Sequence, residues 1–494
     1  MTGKRDRRRL GGLAAALMLV TAMPAFTNAA AAEAPVATHH TTTLNGRKLG
    51  YTATVEGTDV LDAAGQPGAH LVSFAYIADG MKEPAKRPVL FVFNGGPITA
   101  SLWLHLGVMG PKRVAVPDDL KADPSTFTLV DNPYSPLDAT DLVFIDPAST
   151  GFSHVAPGVD PKSYYSVKAD GQQVTAFIQA WLTQHNRLGS PVYLLGESYG
   201  TMRAVEVAGQ LAELPKPILL DGVVLMGQAV NIIEYAQRPQ NIMSYVVSLP
   251  TLAAIAWYHQ KVDRHGLSLE AFVDEARRYA QSDYMPALYQ GSDLPTADRD
   301  RVAQRLQELT GIPAAYYREH ALRISKETYR GELLKDQGLL LGRADARYTA
   351  PITDKGIAPD PFGASVMAPF SRLFNDYIHN DLKVDRTDPY VEMAEVGGLD
   401  DWGWSFASPF ANWAYGDRLL KAMKANPKFQ LLIGNGYYDT QTTVGAAELL
   451  ARQGGWPQGR VHLTFYEGGH MAYTVESAAR KFGADIRAFV KPAS

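Results

Sequence analysis

The chain has 494 residues and no cysteine. That absence excludes a disulfide framework, cysteine-ligated zinc, iron–sulfur clusters and a thiol nucleophile. A surplus of positive charge is missing too: 47 Lys and Arg stand against 51 Asp and Glu, a net charge of −4. Nucleic-acid binding needs a broad positive field, so no nucleic-acid partner is expected. Past the N-terminus there is no second long apolar run, and no other membrane-inserted segment is expected. Metal-spaced clusters such as H-E-x-x-H do not occur, and His39-His40 lacks carboxylate neighbours, so neither a metal nor a cofactor is expected. Glycine (43) and proline (31) are too few for a fibrous or low-complexity chain. What remains is 46% apolar, 20% charged and 10% aromatic, the make-up of a globular protein with a sizeable core.

The N-terminus has the pattern of an export signal over residues 1–32. Lys4, Arg5, Arg7, Arg8 and Arg9 form a basic start, Leu10 to Val20 is apolar but short for a bilayer, and small residues follow from Asn28 to Ala32. Cleavage is expected near Ala29–Ala32, and Asp6-Arg7-Arg8-Arg9-Leu10 resembles a twin-arginine signal. An uncleaved anchor helix is the alternative, disfavoured by length. The expectation is an exported protein, periplasmic or secreted, without stable membrane insertion after cleavage.

From Thr41 to Ile77, β-rich stretches alternate with the turn signals Asn45-Gly46 and Ala64-Gly65, as in an antiparallel meander. Short apolar runs follow at Pro88–Phe93, Asp141–Ile145, Pro191–Leu195, Gly222–Met226, Phe429–Ile433 and Val461–Phe465. Helical patterns such as Ser166–His185 and Met202–Leu214 lie between them. Apolar strands alternating with helices predict an α/β fold with a mostly parallel central sheet covered on both faces. The rhythm breaks between about Ala229 and Phe410, where Leu267–Gln281 and Asp298–Leu309 are helical and strand runs are lacking. The expected organisation is a core at 33–228 and 411–494 interrupted by a mostly helical cap at 229–410. The aromatic return Asp401-Trp402-Gly403-Trp404-Ser405-Phe406 either lines a cleft or packs the cap onto the core.

Gly196-Glu197-Ser198-Tyr199-Gly200 stands between an apolar run and a helix-like stretch, the context that makes G-x-S-x-G informative. A tight turn there pushes the serine hydroxyl out at the sheet edge, beside a helix N-terminus. A serine nucleophile needs a base, and the base an orienting acid, in the order Ser, acid, His. His470, in Glu467-Gly468-Gly469-His470-Met471 just past an apolar run, is the strongest base. Asp439, after the preceding run and Gly434-Asn435-Gly436-Tyr437-Tyr438, is the candidate acid. Phe93-Asn94-Gly95-Gly96-Pro97 follows an early strand, and its bare glycine N–H groups suit an oxyanion, with the Tyr199 N–H as second donor. His154 and the His39-His40 pair receive no role.

Together these segments resemble the serine carboxypeptidase family, of carboxypeptidase Y type. The likeness runs through Asn94-Gly95-Gly96-Pro97, Gly110-Pro111, Asn132-Pro133-Tyr134-Ser135, Asp141-Leu142-Val143-Phe144-Ile145-Asp146-Pro147, Thr150-Gly151-Phe152-Ser153, Gly196-Glu197-Ser198-Tyr199-Gly200 and Gly469-His470-Met471. It implies an α/β-hydrolase fold with a cap, a Ser198–Asp439–His470 triad, and oxyanion donors at the Gly96 and Tyr199 N–H groups. It also implies that Asn94, Glu197 and the Gly95 N–H grip the free C-terminal carboxylate of a peptide. An ionised Glu197 would repel that carboxylate and a protonated one would donate to it. Peptide cleavage is therefore expected to be best at acidic pH, limited below by protonation of His470 and above by ionisation of Glu197.

The likeness has departures. Ile98-Thr99-Ala100-Ser101 replaces the Gly-Cys-Ser-Ser that usually follows N-G-G-P, and Val108 stands where a glutamate often supports the carboxylate site. These differences and the missing cysteines suggest a divergent, bacterial branch. The expected activity is removal of C-terminal residues from peptides through an acyl-enzyme. The same triad would equally serve an esterase or an acyltransferase. A binding protein on a decayed hydrolase scaffold is disfavoured by the intact triad.

Overall fold

A computed structural model describes residues 34–62, 64–353, 360–396, 398–404 and 414–491. The export-signal pattern at 1–32 and the Ser405-Phe406 end of the aromatic return lie outside the described residues. The meander expected from Thr41 onward is present as β1 (Val36–Leu44), β2 (Arg47–Leu61) and β3 (Pro67–Ala78). Asn45 and Gly46 turn β1 into β2 with φ of 50° and 74°, the paired positive values of the hairpin turn whose twist matches its strands.

The apolar runs become β4 (Val89–Phe93), then, past a hairpin of β5 (Lys112–Ala115) and β6 (Thr128–Asp131), β7 (Asp141–Ile145). Two-residue β8 (His154–Val155) pairs with β3; β9 (Val192–Glu197) and β10 (Leu220–Met226) continue the sheet. The cap contributes β11 (Leu339–Leu341) and β12 (Thr349–Pro351), and β13 (Gln430–Gly436) and β14 (Val461–Tyr466) complete the core. The large sheet runs β1-β2-β3-β7-β4-β9-β10-β13-β14. The pairs from β7 to β14 are parallel and those joining β1, β2, β3 and β7 are antiparallel, so the sheet is mixed. Every residue of β4 and β7 is buried, as a strand covered on both faces requires.

Helix Val167–Gln184 begins where Ser166 Oγ accepts the Ala169 N–H at 3.1 Å. With Tyr199–Glu213 it covers one face of the sheet, where Trp181, Phe177 and Met202 are buried. The other face carries Glu476–Val490 and the cap helix Ala368–Asn380, whose Phe370, Phe374 and Tyr377 join the core around Trp103 and Phe144. A third cluster lies within the cap among Leu249–Tyr258, Leu269–Tyr279 and Thr296–Thr310. Two hairpins escaped the sequence patterns, β5–β6 and β11–β12, each built of strands of three or four residues. The whole is an α/β fold with helices on both faces of a mixed sheet and a helical insertion, consistent with α/β-hydrolase architecture. No described helix is long and apolar enough to cross a membrane.

Candidate active site

The C-terminal ends of β4, β9, β13 and β14 lie along one edge of the sheet. Each delivers one of the singled-out segments. Ser198 sits between β9 and the helix Tyr199–Glu213 with φ 57° and ψ −128°, a strained conformation for a residue with a side chain. The flanking glycines have no room for a Cβ: one on Gly196 would lie 2.1 Å from the Gly200 carbonyl oxygen, and one on Gly200 2.7 Å from the Asn94 oxygen. Gly95 is as constrained, since a Cβ there would come within 2.7 Å of the Tyr199 nitrogen and 2.8 Å of Ser198 Cβ. The Asn94–Gly96 loop therefore lies directly against the serine turn. Among the described residues the Gly96 and Tyr199 N–H groups donate to nothing else.

Asp439 and His470 meet: His470 Nδ1 lies 2.7 Å from Asp439 Oδ2. Asp439 is fully buried, and its carboxylate also accepts the Gln441 N–H (2.7 Å), the Thr442 N–H (3.1 Å) and Thr442 Oγ1 (2.5 Å). The imidazole passes over Gly227, where a Cβ would stand 3.1 Å from its ring. Burial alone would lower the His470 pKa, but the charge and hydrogen bond of Asp439, with the charge of Glu197, outweigh it and raise it to about 9.

Ser198, His470, Asn94, Gly95, Gly96 and Glu197 line one cavity of about 390 Å³. Its far walls come from Trp103 and Met471 and from cap residues Arg330, Arg343, Asp360, Phe362, Met367 and Met393. Glu197 is buried and takes a hydrogen bond from Asn94 Nδ2, while its Oε1 has no partner. Burial pushes its carboxyl up to about 7, against the opposing pull of His470, Tyr473 and Asn94. Asn94 is itself fixed: its Oδ1 accepts the Leu104 N–H at 3.1 Å and its carbonyl accepts Arg203 at 2.7 Å. Arg203 is wholly buried and paired with Asp170 at 2.8 Å.

Several supports were not singled out in the sequence. Asp146, in the Asp141–Pro147 motif, accepts the Ser101 N–H and Oγ and the Tyr390 hydroxyl, each at 2.8 Å, and so joins the Asn94–Ser101 loop to the cap. The cap segment Arg343–Ala346 threads between the loops bearing Asp439 and His470. The Arg343 carbonyl accepts Thr440 Oγ1 (2.8 Å), the Ala344 carbonyl accepts the His470 N–H (2.6 Å), and the Ala346 N–H donates to the Tyr438 carbonyl (3.0 Å). Asp345, held by Arg347, accepts the Gly469 N–H at 3.0 Å. The Arg343 and Ala344 N–H groups donate in turn to Asp360, at 3.1 and 3.0 Å.

Other sequence candidates sit elsewhere. Trp402 and Trp404 pack against Tyr199 at 5.3 and 6.3 Å between ring centres, so these aromatics fasten the cap to the core. His154 stacks on His70, and His40 on Tyr51. Among the described residues no group of three or more His, Asp and Glu is placed to hold a metal ion.

A model of the serine carboxypeptidase family matches residues 59–231, the stretch from β2 to just past β10. Two Arabidopsis thaliana proteins are similar over a shorter part. "Serine carboxypeptidase-like 36" is 30% identical over 139 residues, 28% of this chain and 27% of that protein. "Serine carboxypeptidase-like 37" is 28% identical over 130 residues, 26% of this chain and 25% of that one. The chain thus aligns with about a quarter of the length of these curated relatives. Among solved structures it is similar to Kex1(delta)p, a prohormone-processing carboxypeptidase from Saccharomyces cerevisiae. The TM-score is 0.53 at 13% identity, covering 88% of this chain and 91% of that one, which is a likeness of fold.

Proposed function

We propose that this protein is an exported serine carboxypeptidase. The observation that carries the reading is the buried Asn94–Glu197 pair beside Ser198, in the cavity that also holds His470. A hydrolase of esters alone has no need of a buried carboxyl next to its nucleophile. A carboxypeptidase does, because a protonated Glu197 donates to the terminal carboxylate and Asn94 adds a neutral donor.

In this reading Ser198 Oγ attacks the carbonyl carbon of the last peptide bond and its proton passes to His470. Asp439 holds the Nδ1 side of the imidazole and balances the charge that forms. The Gly96 and Tyr199 N–H groups take the oxyanion. Collapse breaks the C–N bond, His470 returns the proton to the leaving amine, and the last residue departs. Water then adds to the acyl-Ser198 ester with His470 again as base, releasing the shortened peptide and the serine hydroxyl.

Glu197 and His470 are close enough to titrate as a pair. Peptide cleavage needs Glu197 protonated and His470 neutral. Ester cleavage needs only the neutral histidine. Free-acid peptides are therefore turned over best on the acidic side of the ester profile. The second reading, an esterase or an acyltransferase on the same triad, draws on Val108, which is buried and apolar and gives Glu197 no second carboxyl.

The test is a pH series from about 4 to 9 on a blocked dipeptide with a free C-terminus, its amide and a matched ester, with Ser198→Ala as control. Release of the last residue from the free acid alone, fading at alkaline pH while ester cleavage persists, is the expected result. Ester cleavage with no peptide cleavage would move the assignment to the second reading.

A further inference from the structure

Lys326 brings a cation close to the triad that the mechanism does not use. It opens the cap helix Lys326–Glu332, where Ser325 Oγ caps the first turn by accepting the Thr328 N–H at 3.0 Å. A cation in the first turn opposes the helix dipole, so helix stability does not explain its place. Its own N–H donates to Gln237 Oε1 at 2.7 Å, which fixes the root of the side chain. The chain then crosses the Tyr235 ring, with Nζ 5.2 Å from the ring centre. It ends on the Gln441 carbonyl oxygen, to which Nζ donates at 3.0 Å.

That carbonyl shares one planar peptide unit with the Thr442 N–H. The Thr442 N–H donates to Asp439 Oδ1 at 3.1 Å, beside the Gln441 N–H at 2.7 Å. Asp439 Oδ2 is left to Thr442 Oγ1 at 2.5 Å and His470 Nδ1 at 2.7 Å. An unbroken line of bonded groups therefore runs from the Lys326 ammonium, through one peptide and one carboxylate, to the imidazole. A cation on the oxygen of a peptide polarises it and makes its N–H a stronger donor.

We infer that Lys326 is a positioning residue for the Asp439–His470 pair: from the cap, its ammonium polarises the Gln441–Thr442 peptide, strengthens the bond to Asp439 Oδ1 and tempers the hold of the carboxylate on a protonated His470. The inference rests on the triad of the proposed function and deepens it. A stronger donor at Oδ1, with a positive charge behind it, leaves less negative charge to retain an imidazolium. His470 then sheds its proton at lower pH than Asp439 alone would allow, and more of it is neutral and able to act as base. Burial lowers the Lys326 pKa to about 8, with the charges of Asp439 and Glu327 opposing, so the cation is present at acidic and neutral pH and is lost on the alkaline side.

The other charged groups are accounted for. Glu327 and Arg343 face Lys326 and pair with each other at 2.9 Å. Glu197 and Asp360 face His470. Tyr235 keeps its proton, because burial and then the Asp439 charge raise its ionisation. Replacing Lys326 leaves all of these groups in place.

The experiment is Lys326→Met, which keeps an unbranched chain over Tyr235 and removes the charge. The probe is an activated phosphonate, and the readout is the rate of Ser198 labelling from about pH 5 to about pH 10. That rate follows neutral His470 whatever substrate the protein turns over. Loss of the cation should move the acid limb up by about half a unit, so that labelling slows about threefold below about pH 8. At higher pH the profiles should converge, because Lys326 in the unaltered protein has then lost its own proton. Lys326→Gln keeps a neutral donor without the charge; it should move the limb the same way, and it carries the test where the methionine variant does not fold. A limb that stays in place or moves down overturns the inference. So does an even loss at every pH, the mark of a packing role. Should Ser198 of the unaltered protein take no label, the triad reading fails by itself. The line from Lys326 to His470 is then read from the magnetic-resonance titration of His470, assigned by difference against His470→Gln. Lys326→Met must still raise that titration by about half a unit, and no rise overturns the inference.

Discussion

Replacing Glu197 by glutamine removes the ionisable group and keeps a hydrogen-bond donor of similar shape. The structure fixes the sign of the result. The Glu197 carboxyl sits up at about 7, so at pH 9, two units higher, only about 1% of it keeps the proton that a peptide carboxylate requires. With Glu197 at about 7 and His470 at about 9, the form with a protonated Glu197 and a neutral His470 is most populated between those values and falls away above about pH 9. Glutamine has no proton to lose, and this fall disappears. In exchange, an amide N–H is a weaker donor to a carboxylate than a carboxyl O–H. The difference, about 1.4 kcal/mol, costs roughly tenfold wherever Glu197 would have been protonated. The profiles therefore cross. Glu197→Gln is about tenfold slower on the free acid near pH 6 and about tenfold faster near pH 9.

The ester behaves differently, and the contrast is the control. Glu197 contributes its charge to the raised pKa of His470. Removing that charge lowers the histidine, so the acid limb of ester cleavage moves to lower pH. The free-acid limb stays in place, because the productive form already holds a neutral Glu197. The assay is kcat/KM for both substrates across the range, with the amide as a third arm. Free-acid profiles of the same shape in both proteins would refute the reasoning, whatever their heights.

Three further outcomes follow from the geometry. Asp439→Asn puts an amide where His470 Nδ1 now finds a carboxylate at 2.7 Å; kcat should fall by about four orders of magnitude on ester and peptide alike, with KM nearly unchanged, in steady-state assays. Gly95→Ala sets a methyl group 2.7 Å from the Tyr199 nitrogen; burst labelling of Ser198 by an activated phosphonate should slow at least about a hundredfold in a protein whose circular dichroism is unaltered. Asp345→Asn leaves the largely buried Arg347 guanidinium without its counter-charge, so stability in urea should drop by about 3 kcal/mol or more, and the remaining folded protein should show a lower kcat because Gly469 loses a charged acceptor.

The parallel half of the sheet was legible because its strands are buried on both faces and so read as unbroken apolar runs. Asp141–Ile145 has the predicted limits, β10 starts two residues before its expected run, and β9 starts one residue late and ends two residues late. The antiparallel meander was legible through its turns, Asn45-Gly46 above all. The hairpins β5–β6 and β11–β12 were not, because strands of three or four residues carry too little periodicity to separate from loop. The same contrast holds in the site. Ser198, His470 and Asn94-Gly95-Gly96 announce themselves through glycines that a tight turn or a close approach demands. Asp345, Asp360 and Arg203 sit in ordinary sequence, and only the fold shows what each of them touches.

The cap in this molecule is joined to the loops that carry Asp439 and His470. A lid that merely covers a hydrolase core can be displaced while the triad stays intact. Here the Ala344 carbonyl accepts the main-chain N–H of His470 itself, Arg343 and Ala346 bond the residues on either side of Asp439, and Asp345 bonds the residue before His470. The two loops must therefore keep their spacing for the cap segment to stay hydrogen-bonded, and the reverse also holds. Since Asp360 bonds the Arg343 and Ala344 N–H groups and also lines the cavity, a substrate that presses on the Asp360 wall acts on the support of His470 through two successive hydrogen bonds. On the proposed reading that short path couples substrate preference to catalytic geometry, and changes to the cap wall around Asp360 should alter kcat as readily as KM.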